Sequence, residues 1–171
     1  KRPITLPTTL RKNSRVGAPV MMVAKEKAPF SADAIERAGG ALEFEAYLYW
    51  NSKIQPKDTA GVLVRVREAS GTLFDPGFLK YQVSEQNRLG QITAEIFVTN
   101  GLDAAINIDR ESFNFSHPHF LYIQRWLHRA LRLLANRLKA IADEDLGRER
   151  AQQSAAKSVG VQKEALEVWS K

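Results

Sequence analysis

The sequence of 171 residues contains no cysteine and no apolar run long enough to cross a membrane. The first absence excludes disulfide bonds, thiol catalysis and thiolate metal sites, and it is typical of a cytoplasmic protein. A spanning helix needs about 18 or more consecutive apolar residues, so we expect no membrane segment. No signal peptide is visible, and the chain begins with Lys1 rather than Met, which suggests a piece of a longer protein. The length predicts one ordinary domain with a core of its own.

Several familiar catalytic patterns are also missing. The sequence has no glycine-rich phosphate loop, and it has no pattern typical of a Ser/His/Asp triad or of a catalytic pair of carboxylates. Its three histidines are His117 and His119, on either side of Pro118, and His128. A proline between two histidines disfavours shared ligation, and no pair of carboxylates lies at ligand spacing. We therefore predict no metal site, and we interpret the histidines as surface residues near a helix start.

The net charge of +6 belongs to one end of the chain. Residues 1–30 contain seven Lys or Arg residues and a single acid, Glu26, whereas the other 141 residues carry 18 basic and 18 acidic groups. Residues 1–19 also hold three prolines, and we interpret them as a basic linker or arm. A contact from this arm to phosphate or to an acidic partner is the open alternative.

Alternation of apolar and polar residues predicts the sheet. Residues 43–50, 62–67 and 91–99 follow the period of half-buried strands, and residues 20–23 predict a short further strand. Ser31 has the character of an N-cap for a short helix that ends at Ala38, before two glycines. The stretch from Gly71 to Gly90 is interpreted as mixed loop.

A long helix is predicted after residue 115. Ser116 and Pro118 mark its start, and apolar residues at three- and four-residue spacing continue to Ile141, which predicts an amphipathic helix lying on the sheet. Three acids follow at 143–145. Because acids oppose the partial negative charge at a helix C-terminus, we expect a break or kink near residue 142, a second helix to about Lys157, and an end at Gly160.

The polar loop between the third strand and this helix is the candidate site. It carries the pattern Asn107-x-x-Arg110-x-x-x-Asn114. An arginine offers a planar fork of donors to phosphate or carboxylate, and two neighbouring asparagines could fix its rotamer. The alternative is that Arg110 pairs with Asp109 or Asp103 and merely orders the loop.

Two other sets of charged residues have both a structural and a functional interpretation. The long helix carries five cations with no acid among them, which favours a solvated face or, alternatively, an anionic partner; these are Arg125, Arg129, Arg132, Arg137 and Lys139. Cross-strand ion pairing on the exposed face of the sheet accounts for a second set, to which we assign no chemistry; these are Arg65, Arg67, Glu45 and Glu95.

The loop also carries a family resemblance. Residues 106–114 resemble the catalytic loop in the middle domain of heat-shock-chaperone-type ATPases, which belong to the GHKL superfamily together with DNA gyrase B and histidine kinases. Further segments are similar to the matching region of bacterial GHKL proteins; these are residues 54–57, 61–66, 95–98 and 101–105. The resemblance covers roughly residues 42–135.

This resemblance implies a fold and a division of the chain. It implies an α+β domain of the ribosomal-protein-S5-domain-2-like type, a mixed sheet backed by helices, over residues 20–142. Residues 1–19 would connect it to an upstream domain, and residues 143–171 would form a C-terminal helical extension. Arg110 would contact the γ-phosphate of ATP, Asn107 would brace it, and Asn114 would stand where the chaperones carry a glutamine.

The resemblance also implies cofactors and partners. The nucleotide-binding boxes of the family are absent from this chain, so ATP and Mg²⁺ would be bound mainly by a separate N-terminal domain of the same protein, and the chain alone would not hydrolyse ATP. That upstream domain is the expected partner, and a homodimer is one assembly left open. The alternative function is a non-catalytic module that binds nucleic acid or an acidic partner through its basic residues. We expect no membrane partner.

Overall fold

The chain folds into an α+β arrangement of one mixed sheet and a long C-terminal helix. The computed structural model describes residues 16, 18–66, 69–70, 73–82, 86–107 and 112–169. The strands among these residues are β1 (Val20–Lys27), β2 (Glu43–Trp50), β3 (Gly61–Val66), β4 (Ala69–Ser70) and β5 (Ile92–Asn100). The helices are α1 (Ala32–Arg37), α2 (Gln86–Leu89) and α3 (Pro118–Trp169).

The strands form a single sheet in the order β1-β2-β5-β3-β4. Neighbouring strands are antiparallel, except that β3 and β5 are parallel. The alternation in the sequence correctly predicted β2, β3 and β5, each to within a residue or so. The stretch 71–90, interpreted as mixed loop, contains the short helix α2, so that interpretation is wrong there.

The first strand corrects the interpretation of the basic N-terminal region. β1 extends to Lys27, well beyond the predicted short strand, and pairs along its length with β2. Lys25 lies 3.1 Å from Glu45 and Lys27 lies 3.0 Å from Glu43, as ion pairs across the two strands. Part of the positive charge of residues 1–30 is therefore neutralised on the sheet. Residues 1–15 and 17 lie outside the described residues.

The hydrophobic core lies between one face of the sheet and the first half of α3. Each core strand contributes alternate residues, as a half-buried strand must. Its buried side chains include Phe44, Leu48, Ala94, Ile96, Phe120, Ile123, Leu127 and Leu134. The opposite face of the sheet carries a smaller cluster, which consists of Tyr47, Tyr49 and Ile54 with Ala60 and Phe97 packed against it.

Helix α1 begins as predicted, because the Ser31 side chain accepts a hydrogen bond from the backbone N–H of Ala34. Such a cap satisfies one of the free N–H groups in the first helical turn. Two glycines with positive φ follow α1 and turn the chain into β2. The predicted stop at this point is confirmed.

The predicted break near residue 142 is wrong. Helix α3 continues without interruption to Trp169, through Gly160, and its 52 residues give a length of about 78 Å. Neighbouring cations offset the acids that suggested the break, since Arg137 lies 3.9 Å from Glu144 and Arg148 lies 3.6 Å from Asp145. From 143 to 157 nearly every side chain is exposed. Within the described ranges, no helix combines the length and apolar character that crossing a membrane requires.

Candidate functional site

The polar loop lies at the end of the sheet where the parallel strands β3 and β5 both finish. β5 ends at Asn100, and the chain turns away through Gly101 and Leu102, both with positive φ, at 83° and 69°. A 3-10 turn, Asp103–Ala105, follows. Ligand sites in open sheets with parallel strands commonly lie beyond the carboxyl ends of those strands. The loop therefore occupies a position suited to binding.

The two ends of this loop are held together. Ile106 and Phe113 form an isolated antiparallel bridge. Asn107 donates twice to Ser112, from its backbone N–H to the carbonyl oxygen at 2.9 Å and from Nδ2 to Oγ at 2.8 Å. We call this pair of residues the loop clamp. Residues 108–111, which include Arg110, lie outside the described residues, so the role of Arg110 stays a prediction.

Asn114 shapes the path from the loop to the helix. Its backbone N–H donates to the carbonyl oxygen of Ala105 at 2.7 Å. Its side-chain Oδ1 accepts a hydrogen bond from the backbone N–H of Ser116 at 3.0 Å, and its carbonyl oxygen accepts one from His117. The side-chain contact to the N–H two residues on is the pattern by which asparagine stabilises a turn. Asn114 is thus placed as a turn-forming residue beside the loop clamp.

His119 joins three segments at the base of the site. It is buried, with 1% of its surface exposed, so the interpretation as a surface histidine is wrong. Its Nδ1 accepts a hydrogen bond from the backbone N–H of Leu102, and its Nε2 lies 3.0 Å from the carbonyl oxygen of Gly40. One nitrogen must accept and the other donate, which requires the neutral ring protonated at Nε2. Burial lowers the pKa of His119, outweighing the opposing effects of the Gly40 carbonyl and of Asp103.

The first turn of α3 begins at Pro118, as predicted. Proline suits this position because its fixed φ is helical and no N–H is needed there. Nδ1 of His117 accepts a hydrogen bond from the backbone N–H of His119 at 3.2 Å and so caps the helix. Burial, and then the neighbouring His119, lowers the pKa of His117.

The opposite sheet face carries a buried carboxylate. Glu95 is only 4% exposed, accepts a hydrogen bond from the hydroxyl of Tyr47 at 2.7 Å, and pairs with Arg65. Burial, followed by the hydrogen bond to Glu95, raises the pKa of Tyr47. The predicted cross-strand ion pairing is confirmed for Arg65 and Glu95, but Glu95 is buried rather than on an exposed face. Glu45 forms an ion pair with Lys25 of β1 instead, and Arg67 lies outside the described residues.

The cations of α3 point mostly away from the sheet. Four of them are exposed on the helix face opposite the core, and within the described residues none of these is in an ion pair; they are Arg125, Arg129, Arg132 and Lys139. We call them the basic face of α3. The fifth predicted cation, Arg137, pairs with Glu144. This surface is available to a polyanion but carries no catalytic group.

Two residues that sequence reasoning missed complete the site. Ser112 was not singled out, because a serine in a polar loop gives no local signal that it closes the loop. His119 was misplaced, because its burial depends on Gly40 and Leu102, which are distant in sequence. In the part of the chain that the structure describes, no three His, Asp or Glu side chains converge as metal ligands.

No protein-family model matches the chain. A comparison with curated proteins likewise finds no significant match. The functional interpretation therefore depends on the residues themselves.

Proposed function

We propose that this chain is the middle, transducer domain of a GHKL-type ATPase of the heat-shock-chaperone kind. In this proposal, ATP is held by a separate upstream domain, and Arg110 contacts its γ-phosphate. The observation that carries the proposal is the loop clamp. Asn107 and Ser112 lie on either side of the segment that contains Arg110, and they are hydrogen-bonded to each other.

The physical reason is that phosphoryl transfer depends on positioning and charge stabilisation. An arginine contributes to that chemistry only if the backbone that carries it is held in place, because a loosely held side chain must be ordered again in each turnover. The clamp, the bridge between Ile106 and Phe113, and the buried His119 each fix part of this backbone. Asn107 and Asn114 then act as positioning residues.

The surrounding fold supports the proposal at a coarser level. A mixed sheet backed by a long helix is the architecture that the resemblance implies, including the amphipathic helix of a ribosomal-protein-S5-domain-2-like domain. Helix α3 begins four residues after Asn114 and continues as one helix into the exposed stretch 143–157. A displacement of the loop would therefore reach distant segments through a single rigid element.

The cofactors belong mainly to the upstream domain in this proposal. Mg²⁺ would be held by the triphosphate and by that domain, because Mg²⁺ sites commonly combine one or two carboxylates with substrate phosphates. ATP with Mg²⁺ would provide the triphosphate to be cleaved. The contribution of this chain is a positive charge and its positioning. The protein is expected to be cytoplasmic, and a homodimer is compatible with this arrangement.

The test is ATP turnover by the protein that carries both domains, wild type against Arg110→Ala. We expect kcat to fall by on the order of 10²-fold or more while ATP affinity stays nearly unchanged, as for an arginine that stabilises the transition state. Arg132→Ala is the matched control, since this arginine is exposed on α3 and, among the described residues, donates a hydrogen bond to the backbone carbonyl oxygen of His128. It should leave kcat unchanged.

Two variants then test the clamp. Asn107→Ala and Ser112→Ala each remove the side-chain hydrogen bond, and each should lower kcat by a smaller factor than Arg110→Ala, about threefold to tenfold. Equal turnover in wild type and Arg110→Ala, or no turnover in the wild type, would overturn the proposed function.

A second candidate function is supported by the basic face of α3. Four exposed cations spread over fifteen residues of one helix face could bind nucleic acid or an acidic protein. The test is binding of duplex DNA at about 50 and 200 mM salt, comparing wild type with a variant that has all four replaced by Gln. Affinity that falls steeply with salt, and is lost in the variant, would favour this function, because each neutralised phosphate releases counterions.

A further inference from the structure

The first strand of the sheet lies at its edge. Among the described residues β1 pairs with β2 alone, and this pairing is regular along the whole strand. The other side of an edge strand presents unpaired backbone N–H and C=O groups, which can pair with a further strand. Proteins commonly protect such edges with prolines, bulges or charged side chains. The protection of β1 therefore depends on the side chains that it carries.

The two halves of β1 differ in this respect. In the second half, Lys25 and Lys27 form ion pairs with β2, and Glu26 accepts a hydrogen bond from the hydroxyl of Tyr122 at 2.7 Å. The first half, residues 20–24, carries no charge and no proline. We call residues 20–24 the edge segment. It is the part of β1 that is suited to pairing with another strand.

The face of the edge segment that points away from α3 is apolar and exposed. Met21 is 50% exposed and Val23 is 74% exposed. Their cross-strand neighbours on β2, Tyr49 and Tyr47, are only 4% and 5% exposed. Single exposed apolar residues are common on protein surfaces, but these two are neighbours on one face of an edge strand. A strand added next to β1 would cover both.

The core face of the edge segment is also incompletely covered. Val20 and Met22 pack against the hydrophobic core but are only partly buried. Their cross-strand partners on β2, Trp50 and Leu48, are buried. Burial thus falls from β2 to β1 on both faces of the sheet. An additional strand would extend the apolar core as well as the backbone pairing.

We propose that the edge segment is a homodimer interface, in which it pairs antiparallel with the edge segment of a second copy about a twofold axis at Met22. The two sheets would then form one continuous sheet. A twofold interface places the same surface on both sides, so the edge segment must be complementary to itself. It meets this condition because it is apolar on both faces and brings no like charges together. The inference does not depend on the proposed ATPase function.

The distribution of side chains favours this register. Residues on the same face must lie opposite each other, so the axis can move only in steps of one residue along β1. With the axis at Met22, each Met21 lies opposite the partner's Val23, and the exposed side chains cover one another. With the axis at Val23, Met21 would lie opposite the partner's Lys25. With the axis at Met21, Val23 would lie opposite the partner's Pro19, which has no N–H to donate.

The size and chemistry of the contact determine its strength. Two such short segments bury an area at the low end of protein interfaces, below about 1,200 Å² in total, so we expect a weak dimer with a Kd in the micromolar range. Because the contact is apolar, Kd should change by less than about threefold between about 50 and 500 mM salt. Association through the basic face of α3 would instead weaken steeply with salt.

The first test is sedimentation velocity of the chain from about 5 to 500 μM, over which the dimer should accumulate by mass action. The double variant Met21→Lys with Val23→Lys places charges on the exposed face, as protected edges have, and should raise Kd at least about tenfold. Leu133→Lys is the matched control, because Leu133 is an apolar residue of α3 that is 60% exposed, and it should leave Kd unchanged. Urea unfolding of dilute samples checks that the variants keep their fold.

The second test determines the register by cross-linking. The chain contains no cysteine, so a single introduced cysteine can be cross-linked only between copies. In the Met22→Cys variant the two cysteines would lie opposite each other, with Cβ atoms about 5 Å apart, within reach of a short bis-maleimide. In the Lys27→Cys variant they would be about 33 Å apart, since ten strand positions separate them, and should not be cross-linked.

The outcomes decide the proposal. A concentration-dependent dimer that the two lysines abolish, with cross-linking in Met22→Cys and none in Lys27→Cys, would support the interface. A chain that stays monomeric at about 500 μM, or a dimer whose Kd stays within about twofold of wild type in the double variant, would overturn it. Cross-linking in Lys27→Cys rather than Met22→Cys would also overturn it. Should the double variant fail to fold, the cross-linking pattern decides alone.

Discussion

The buried His119 gives the sharpest prediction about stability. Replacing it with Ala removes two hydrogen bonds of 3.0 Å each and leaves the N–H of Leu102 and the carbonyl oxygen of Gly40 without their partner in a site that is 1% exposed. An unsatisfied buried polar group costs about 1–3 kcal/mol, and the lost ring adds a cavity. We expect His119→Ala to lower the free energy of unfolding by about 3–5 kcal/mol, a large part of the stability of an ordinary domain.

The assay is urea unfolding, followed by tryptophan fluorescence, to which the buried residues Trp50 and Trp126 contribute. His119→Asn should cost about 1–2 kcal/mol less than His119→Ala, because its Oδ1 can take the place of Nδ1 opposite Leu102. His117→Ala, which removes only a helix cap, should cost about 1 kcal/mol. A loss below about 1 kcal/mol in His119→Ala would refute the reasoning that this histidine joins the three segments.

The same residue makes stability depend on pH in a definite direction. Because burial lowers the pKa of His119, the unfolded chain takes up its proton first, at about pH 6.5. Stability from this group is therefore fully present above that pH and is lost as the pH falls toward the lower folded pKa. The free energy of unfolding should fall from pH 7.5 to 5.5 more steeply in wild type than in His119→Asn. Equal slopes would contradict this, and some slope should remain from His117, whose pKa is also lowered.

Two further substitutions test the packing around the sheet. Gly101→Ala should lower the free energy of unfolding by about 3 kcal/mol, because a Cβ there would lie 2.5 Å from a backbone oxygen; Gly39→Ala, with a similar positive φ and its nearest contact at 3.4 Å, should cost about 1 kcal/mol. Equal losses in the two variants would show that the backbone conformation alone matters. Glu95→Ala leaves Arg65 and the hydroxyl of Tyr47 without their partner and should cost about 3–5 kcal/mol by urea unfolding. A loss under 1 kcal/mol would mean that water replaces the carboxylate.

Local patterns predicted the parts of the fold that depend on local physics. The alternation along β2, β3 and β5 reflects burial of one strand face, which any sheet partner would require. The cap at Ser31 and the start of α3 at Pro118 depend on backbone groups within a few residues. These features were predicted correctly because no distant residue decides them.

Other features were misjudged because the partners of charged residues were not considered. The helix was expected to break near residue 142, but Arg137 and Arg148, one to two turns from the acids on the same helix, pair with Glu144 and Asp145, and α3 continues. β1 was predicted too short because the alternation of charged residues beyond Val23 was not assigned to a strand, and their partners Glu45 and Glu43 become visible only across the sheet. The structural role of a charged residue can be assigned only when its ion-pair partner is known.

The candidate site also has features that the sequence predicts and features that depend on the tertiary structure. The sequence by itself determined which residues could carry chemistry, since an arginine between two asparagines is visible without a fold. Only the tertiary structure decided that Ser112 closes the loop with Asn107 and that His119 is buried against Leu102 and Gly40. The physical reason is that a side chain's identity sets what it can bind, whereas its partners are fixed by packing between segments that lie far apart in the chain.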